Sequence, residues 1–339
     1  MVLTRLRSFR RPILLLASLL LFIVGGMLTT AWLFVTHPVT PASAVVLQIN
    51  KGTAFNTVAH RLEAAGLISN ARMFNLLARL RGEIGSIQAG EYDFSQPATP
   101  KEILDRLVKG DVRRIQFTIP EGFTLRQIGE RLAALNIAPL DEFLLLADDE
   151  QFLASHNIQG DSLEGYLFPE TYTIRTGLPL TTLLESMLDQ LDQQLTPELL
   201  DAASGHKLNR HQFLTLASIV QKEAGNDEEM PLIAAVFLNR LKKRMRLQAD
   251  PTVIYGLGEE YQGNITLAHL RRPTPYNTYT ISGLPPGPIA SPGQAALLAT
   301  AFPADVNYLY FVSRGDRTHI FSRTLKEHNQ AVRRYQLRR

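Results

Sequence analysis

Glu223 is next to last in the run Leu216 to Ala224, in which apolar residues outnumber polar ones, and its spacing makes it a candidate acid. On a helical wheel with Phe213 as origin, Leu216, Ala217, Ile219, Val220 and Ala224 fall within an arc of roughly 160°. Glu223 lies inside that arc, whereas Lys222 points away from it. Gly225 is the expected residue just past the helix, which puts Glu223 in the last turn, at the negative end of the helix dipole. Burial and dipole both favour the neutral carboxyl, so its pKa is expected to rise. A carboxylic acid that keeps its proton near neutrality is what a general acid needs to protonate a leaving oxygen. The competing reading is an ordinary glutamate at a helix end, reaching into water. A second stretch, Glu164 to Tyr172, sets Glu164 and Glu170 among Tyr166, Phe168 and Tyr172. It reads as packing between domains, with a second catalytic carboxylate as the alternative.

The elements that would carry these residues belong to an α+β chain whose last part, 161–339, is α-rich. Thr182 to Gln194 is periodic, Thr196-Pro197-Glu198 opens another helix, and Asn209 to Ala224 carries Glu223. Asn226 to Glu229 caps a helix whose face is Ile233, Ala234, Phe237 and Leu241. Asp250-Pro251-Thr252 opens a short helix through Tyr255, and Asp250 reads as its N-cap rather than as an acid catalyst. Tyr308 to Ser313 is strand-like, and a final helix carries His328, Ala331 and Tyr335. Upstream, strand, glycine turn and helix over Leu47 to Leu67 recur over Phe117 to Leu135. Ile49/Ile119, Gly52/Gly122, Arg61/Arg131, Leu62/Leu132 and Ala64/Ala134 are identical at an offset of 70 residues. Between the copies Ala71 to Arg81 reads as a helix and Ala89 to Phe94 as a strand, while Thr99-Pro100 opens a helix with a cap and a proline at its first position. These pieces divide into 45–115, a small βαα region similar to LysM-type carbohydrate-binding modules, and 116–160, a second small α+β region. A plain spacer is the alternative for both.

Ile13 to Val35 carries no charged side chain over 23 residues, more than the ~20 a helix needs to cross a bilayer. Arg5, Arg7, Arg10 and Arg11 precede it without an acid, so the positive-inside rule leaves residues 1–11 in the cytoplasm and everything after His37-Pro38 outside. A span over 12–35 leads into a Pro/Thr/Ser-rich linker over 36–44. A cleaved signal peptide ending near Ala42-Ser43-Ala44 is the alternative, though its apolar core would be shorter. Without those four arginines the formal charge falls from +3 to −1, which is no electrostatic footprint for nucleic acid. The chain has no cysteine, so thiolate chemistry and disulfides are excluded. Its eight histidines show no zinc-ligand spacing, and neither metal nor cofactor is expected.

Four segments together resemble the endolytic murein transglycosylase (YceG-like) family: Leu216 to Ala224, Met245 to Gly256, Pro275 to Tyr279, and the Pro/Gly run Gly283 to Gly293. Anchor, LysM-like region and C-terminal domain come in the family's order, so the resemblance spans nearly the whole chain. The family pattern around the acid has two glutamates; here Gln221 holds the first position and Glu223 the second, the one the resemblance designates as catalytic. The resemblance implies an inner-membrane, single-pass enzyme that cuts the β-1,4 bond between N-acetylmuramic acid and N-acetylglucosamine within a glycan strand, leaving a 1,6-anhydro end. One carboxyl suffices, because the C6 hydroxyl of the substrate replaces the water that glycosidases activate with a second carboxylate. Nascent peptidoglycan strands and, through them, the peptidoglycan synthases are the implied partners. Asn277 then offers an amide to an N-acetyl group, and Tyr276 and Tyr279 offer faces to sugar rings, with Gln248 and Tyr255 as further candidates. Each also has a structural reading: Asn277 as a turn former, the tyrosines as edges of the core. The Pro/Gly run reads as a groove wall or a long connector. Two alternatives stand beside this reading: a peptidoglycan hydrolase with a second carboxylate, and a non-catalytic glycan-binding scaffold of the cell-wall synthesis machinery.

Overall fold

The computed structural model describes residues 3–41 and 44–337, with side chains from residue 15 onward. The side chains of Arg5, Arg7, Arg10 and Arg11, the residues Ala42 and Ser43, and the terminal Arg338 and Arg339 lie outside the described residues. The chain divides into two compact units, 1–115 with 174–177, and 116–173 with 178–339. The segment 116–160 falls in the same unit as most of the C-terminal part.

In the first unit a 34-residue helix, α1 (Leu3–Thr36), opens the chain. Its stretch Leu15–Thr36 is long and apolar enough to cross a membrane. The large apolar side chains from Leu15 to Leu33 are exposed, whereas Phe34 is buried. The first unit continues with β1 (Val46–Ile49), α2 (Phe55–Ala64), α3 (Ala71–Arg81), β2 (Gly90–Asp93) and α4 (Pro100–Lys109). β1 and β2 pair antiparallel, from Val46 opposite Asp93 to Ile49 opposite Gly90, so the unit is a β-α-α-β arrangement closed by a further helix. Phe34 joins Phe55, Phe74, Tyr92 and Phe94 in its core, where Phe55 and Phe74 stack with centroids 5.5 Å apart. Within the expected linker 36–44, Val39 and Ala98 exchange backbone hydrogen bonds of 2.9 and 3.2 Å.

Strands β3 (Arg114–Thr118) and β4 (Thr171–Arg175) pair where the chain passes between the units. The second unit adds α5 (Leu125–Ala134), α6 (Leu140–Ala147), α7 (Glu150–Ser155), α8 (Leu180–Gln194), α9 (Pro197–Gly205) and α10 (Arg210–Glu223). Then come α11 (Met230–Lys242), α12 (Asp250–Leu257), α13 (Leu267–Arg271), α14 (Gln294–Ala301), the hairpin β5 (Tyr310–Ser313) and β6 (His319–Ser322), and α15 (Leu325–Tyr335). The sequence echo is structural: α2 and α5 occupy the same bounds at the 70-residue offset, and Gly52 and Gly122 both turn with positive φ, 82° and 73°.

The helix that carries Glu223 is the centre of the second unit. A capping box starts α10: the Asn209 side chain accepts from Gln212 N, and Gln212 returns the bond to Asn209 N. Every residue from Phe213 to Val220 is buried, so the helix is enclosed on all sides and not merely amphipathic. Its two buried hydroxyls are satisfied internally. Thr215 donates to His211 O (2.7 Å) and Ser218 to Thr215 O (2.7 Å), while Ser218 Oγ accepts from Ile289 N (3.0 Å). That last bond places the Pro/Gly run. Ile289 to Gly293 are buried, and Ser291 and the Gly122 turn exchange backbone bonds through Phe123 O and Gly122 N, both 2.8 Å. The buried end of the run is a strap against α10, and the run is not among the residues lining the cleft at the end of that helix.

Candidate active site

α10 ends at Glu223, and the termination has a local cause. A left-handed Gly225 is the expectation at such a helix end, yet Ala224 is extended (φ −71°, ψ 131°) and Gly225 is absent from the positive-φ glycines. Glycine is needed there for space: a Cβ on Gly225 would stand 2.3 Å from the carbonyl oxygen of Arg317, at the tip of the β5–β6 hairpin. Asn226 Nδ2 donates to the same oxygen (3.1 Å). The hairpin thus crosses directly over the end of the helix and roofs a cleft of about 400 Å³. Glu223 lines this cleft with Arg240, Gln248, Asp250, Tyr279 and His319, and α15 closes it with His328.

The cleft favours the protonated form of Glu223. Its carboxyl is pushed up to about 8, first by desolvation and then by the Asp250 carboxylate, while Arg240 and the Asp250 backbone N–H pull the other way. Residue 223 keeps part of its surface accessible, because the cleft reaches it; the walls around the carboxyl supply the desolvation. The expected rise is therefore present, but the second contributor is a neighbouring carboxylate and not the dipole of α10.

Asp250 is a correction. It is the first residue of α12 and makes no side-chain cap; Ala249 is the N-cap. Its Oδ1 instead accepts the Tyr279 hydroxyl at 2.6 Å. Desolvation, then this bond, raises the Tyr279 pKa, so the phenol remains a donor. The loop holding Asp250 is pinned from beneath. Thr278 Oγ1 accepts from Ala249 N (2.9 Å) and meets Thr252 Oγ1 (2.8 Å), while Gln248 N donates to Thr278 O (3.2 Å). Gln248 is held with φ 51°, a left-handed conformation that a residue with a side chain seldom adopts and that tends to occur at functional sites. Its Oε1 accepts weakly from Arg240 Nη1 (3.4 Å), which turns its amide N–H₂ to the free side.

Arg240, in the last turn of α11, is buried and makes no salt bridge among the described residues. Its guanidinium donates to the carbonyls of Leu309 (2.7 Å) and Leu247 (2.8 Å) and lies over the Tyr310 ring, 5.2 Å from its centroid. Desolvation lowers its pKa, with Tyr310, Tyr279 and Glu223 opposing. It stands as a fixed positive charge near the Glu223 carboxyl.

Of the candidate residues, the fold brings Glu223, Gln248 and Tyr279 to one cleft. Asn277 is buried and its amide is fully used: Nδ2 donates to the carbonyls of His269, Leu270 and Arg272, and Oδ1 accepts from Tyr279 N (2.9 Å). It ties the end of α13 to the Tyr279 turn, which leaves no amide free for an N-acetyl group. Tyr255 and Tyr276 pair with each other, centroids 4.7 Å apart, and are not among the cleft-lining residues; they neighbour Glu164. Glu164 is buried, and both its oxygens accept from Leu125 N at 3.2 Å, at the start of α5. Desolvation raises it to about 7, but it serves as a helix-end acceptor outside the cleft. Gln221 Oε1 accepts from Gly293 N (2.8 Å), and its side chain neighbours Glu121. Sequence reasoning missed Arg240, His319 and His328 as cleft residues. They come from three separate elements, and no spacing along the chain links them to Glu223.

This architecture can be set beside known proteins. The sequence profile of the YceG-like family matches residues 47–334. The chain belongs to the YceG-like family. Among relatives, an endolytic murein transglycosylase of Bacillus subtilis is 31% identical over 335 residues, covering 92% of this chain and 91% of that protein. One from Streptococcus pneumoniae serotype 2 is 31% identical over 300 residues, covering 79% of this chain and 54% of its own length. The crystal structure of a YceG-like protein from Listeria monocytogenes superposes with a TM-score of 0.59 at 33% identity, covering 85% of this chain and 98% of that one.

Proposed function

We propose that this chain is a membrane-anchored endolytic lytic transglycosylase acting on peptidoglycan. Its β-1,4 cut falls between N-acetylmuramic acid and N-acetylglucosamine and yields 1,6-anhydro ends. The observation that carries the reading is the Glu223 carboxyl, raised to about 8, in a cleft lined by Gln248 and Tyr279 in a chain of this family. At neutral pH Glu223 holds a proton for the leaving O4. Gln248 offers amide hydrogens to a carbonyl or hydroxyl of the sugar, and Asn277 acts by holding the Tyr279 turn. Arg240 stabilises the glutamate once it has given up its proton. The apolar helix α1 anchors the chain in the bacterial inner membrane with the arginine-bearing N-terminus inside, and its position beside the membrane gives access to strands leaving the synthases. The β-α-α-β arrangement of 45–115 supports a LysM-like glycan contact there.

The test is digestion of purified murein by the detergent-solubilised chain, with the ends identified by mass spectrometry. Wild type is expected to give anhydro ends, and Glu223→Gln to lose at least about 10²-fold in turnover, the scale of one general acid. Asp250 in the same cleft favours a second reading, a hydrolase with two carboxylates; reducing ends in place of anhydro ends would establish it. A glycan-binding scaffold would retain its cellular effect in Glu223→Gln.

A further inference from the structure

The cleft contains a second acid–base group, firmly held. His319 opens β6, and Glu229, between α10 and α11, grips it twice: Oε1 accepts the His319 backbone N–H (3.0 Å) and Oε2 meets Nδ1 (2.7 Å). Both side chains are largely buried, at 10% and 15% exposure. Phe311 presses edge-on against the ring, centroids 5.4 Å apart. A carboxylate on Nδ1 selects the tautomer with the proton on that nitrogen, so Nε2 carries the lone pair. Nε2 has no hydrogen-bond partner among the described residues, and the ring lines the Glu223 cleft. The carboxylate-oriented imidazole facing a cavity is the arrangement that generates a base.

The geometry points to His319 as a catalytic base on the wall of the Glu223 cleft, taking the proton from the sugar hydroxyl that attacks. The inference rests on the transglycosylase reading above and divides its single-carboxyl scheme between two groups. As the C1–O4 bond breaks, the Glu223 proton passes to O4; as O6 bonds to C1, its proton passes to His319 Nε2. The step ends with Glu223 ionised and His319 protonated, and return of that proton through solvent restores both. Asp250 is less suited to this task, because the Tyr279 hydroxyl already occupies one oxygen. Glu229 is a positioning residue: it holds the ring and touches no substrate. Among charged and titratable groups, Glu229 contacts His319, and Glu223, Arg240, Asp250, Tyr279 and His328 line the same cleft.

The experiment compares wild type, His319→Gln, His319→Gly and Glu229→Gln as full chains on purified murein, with kcat and KM measured for each. His319→Gln is expected to lose about 10²–10⁴-fold in kcat with little change in KM. Added imidazole should restore part of the His319→Gly turnover. Glu229→Gln should lower kcat with little change in KM. Retention of wild-type kcat in His319→Gln overturns the proposal. So does failure of imidazole to rescue a folded His319→Gly. If both His319 variants fail to fold, the Glu229→Gln result decides: a kcat equal to wild type overturns the proposal. Absence of anhydro ends from wild type is a different outcome, since it removes the transglycosylase reading itself.

Discussion

At the scale of single residues, the cleft is a place where charge is disfavoured, and Glu223 makes that measurable in two ways. The first concerns activity. An acid raised to about 8 donates below that pH and is ionised above it, so kcat/KM should fall on the alkaline side near 8, a limb that a pH series on purified murein would reveal. The second concerns stability. In the unfolded chain a glutamate titrates near ~4.3, and in the fold Glu223 binds its proton more tightly. Its contribution is therefore fully present below the unfolded value and is lost as pH rises through the folded value. Glu223→Gln removes this liability, so the variant should gain thermal stability over wild type progressively between about pH 4 and 8. A Tm difference that stays flat across that range would contradict the burial of the carboxyl. Glu164, raised to about 7, adds to the alkaline loss in both proteins and cancels in the comparison.

At the scale of elements, the site depends on α10 stopping where the hairpin arrives. Gly225→Ala puts a methyl 2.3 Å from the Arg317 carbonyl, and relief must come from movement of backbone, not of a flexible side chain. Overpacking of this kind costs about 1–3 kcal/mol, and the hairpin that would move carries His319. Gly225→Ala is expected to lower the Tm and to reduce turnover while leaving Glu223 in place; a melt and a murein digest check both. The helix starts were legible. Thr99, Thr124 and Asn209 all cap where a small polar residue precedes a helix, because a cap is satisfied within a few residues of sequence. Asp250 failed the same rule. Its side chain found a partner 29 residues away in Tyr279, a competitor that no local pattern contains. Gly225 failed likewise, since its reason is a strand tip some ninety residues on in the chain.

At the scale of the whole molecule, the apolar helix and the first unit are joined by packing as well as by the chain. Phe34, at the end of the apolar stretch, contributes to a core with Phe55, Phe74 and Tyr92. Phe34→Ala should destabilise that unit by about 3 kcal/mol, read as a lower melting transition of the full chain in detergent, and a fragment beginning near residue 40 should show the same loss. The apolar segment, the helix periods, the repeated strand-turn-helix plan and Glu223 as a candidate acid were all legible along the chain. Each of these is written in neighbouring residues, as run length, 3.6-residue spacing or a short motif. Folding alone sets what surrounds that carboxyl: Asp250 and Arg240 near it, His319 held by Glu229 on the wall of the same cleft, and Asn277 withdrawn into the scaffold. Those relations join positions tens of residues apart, and the physical reason they escape the sequence is that desolvation and hydrogen bonding act through space, between elements whose meeting only the packed core fixes.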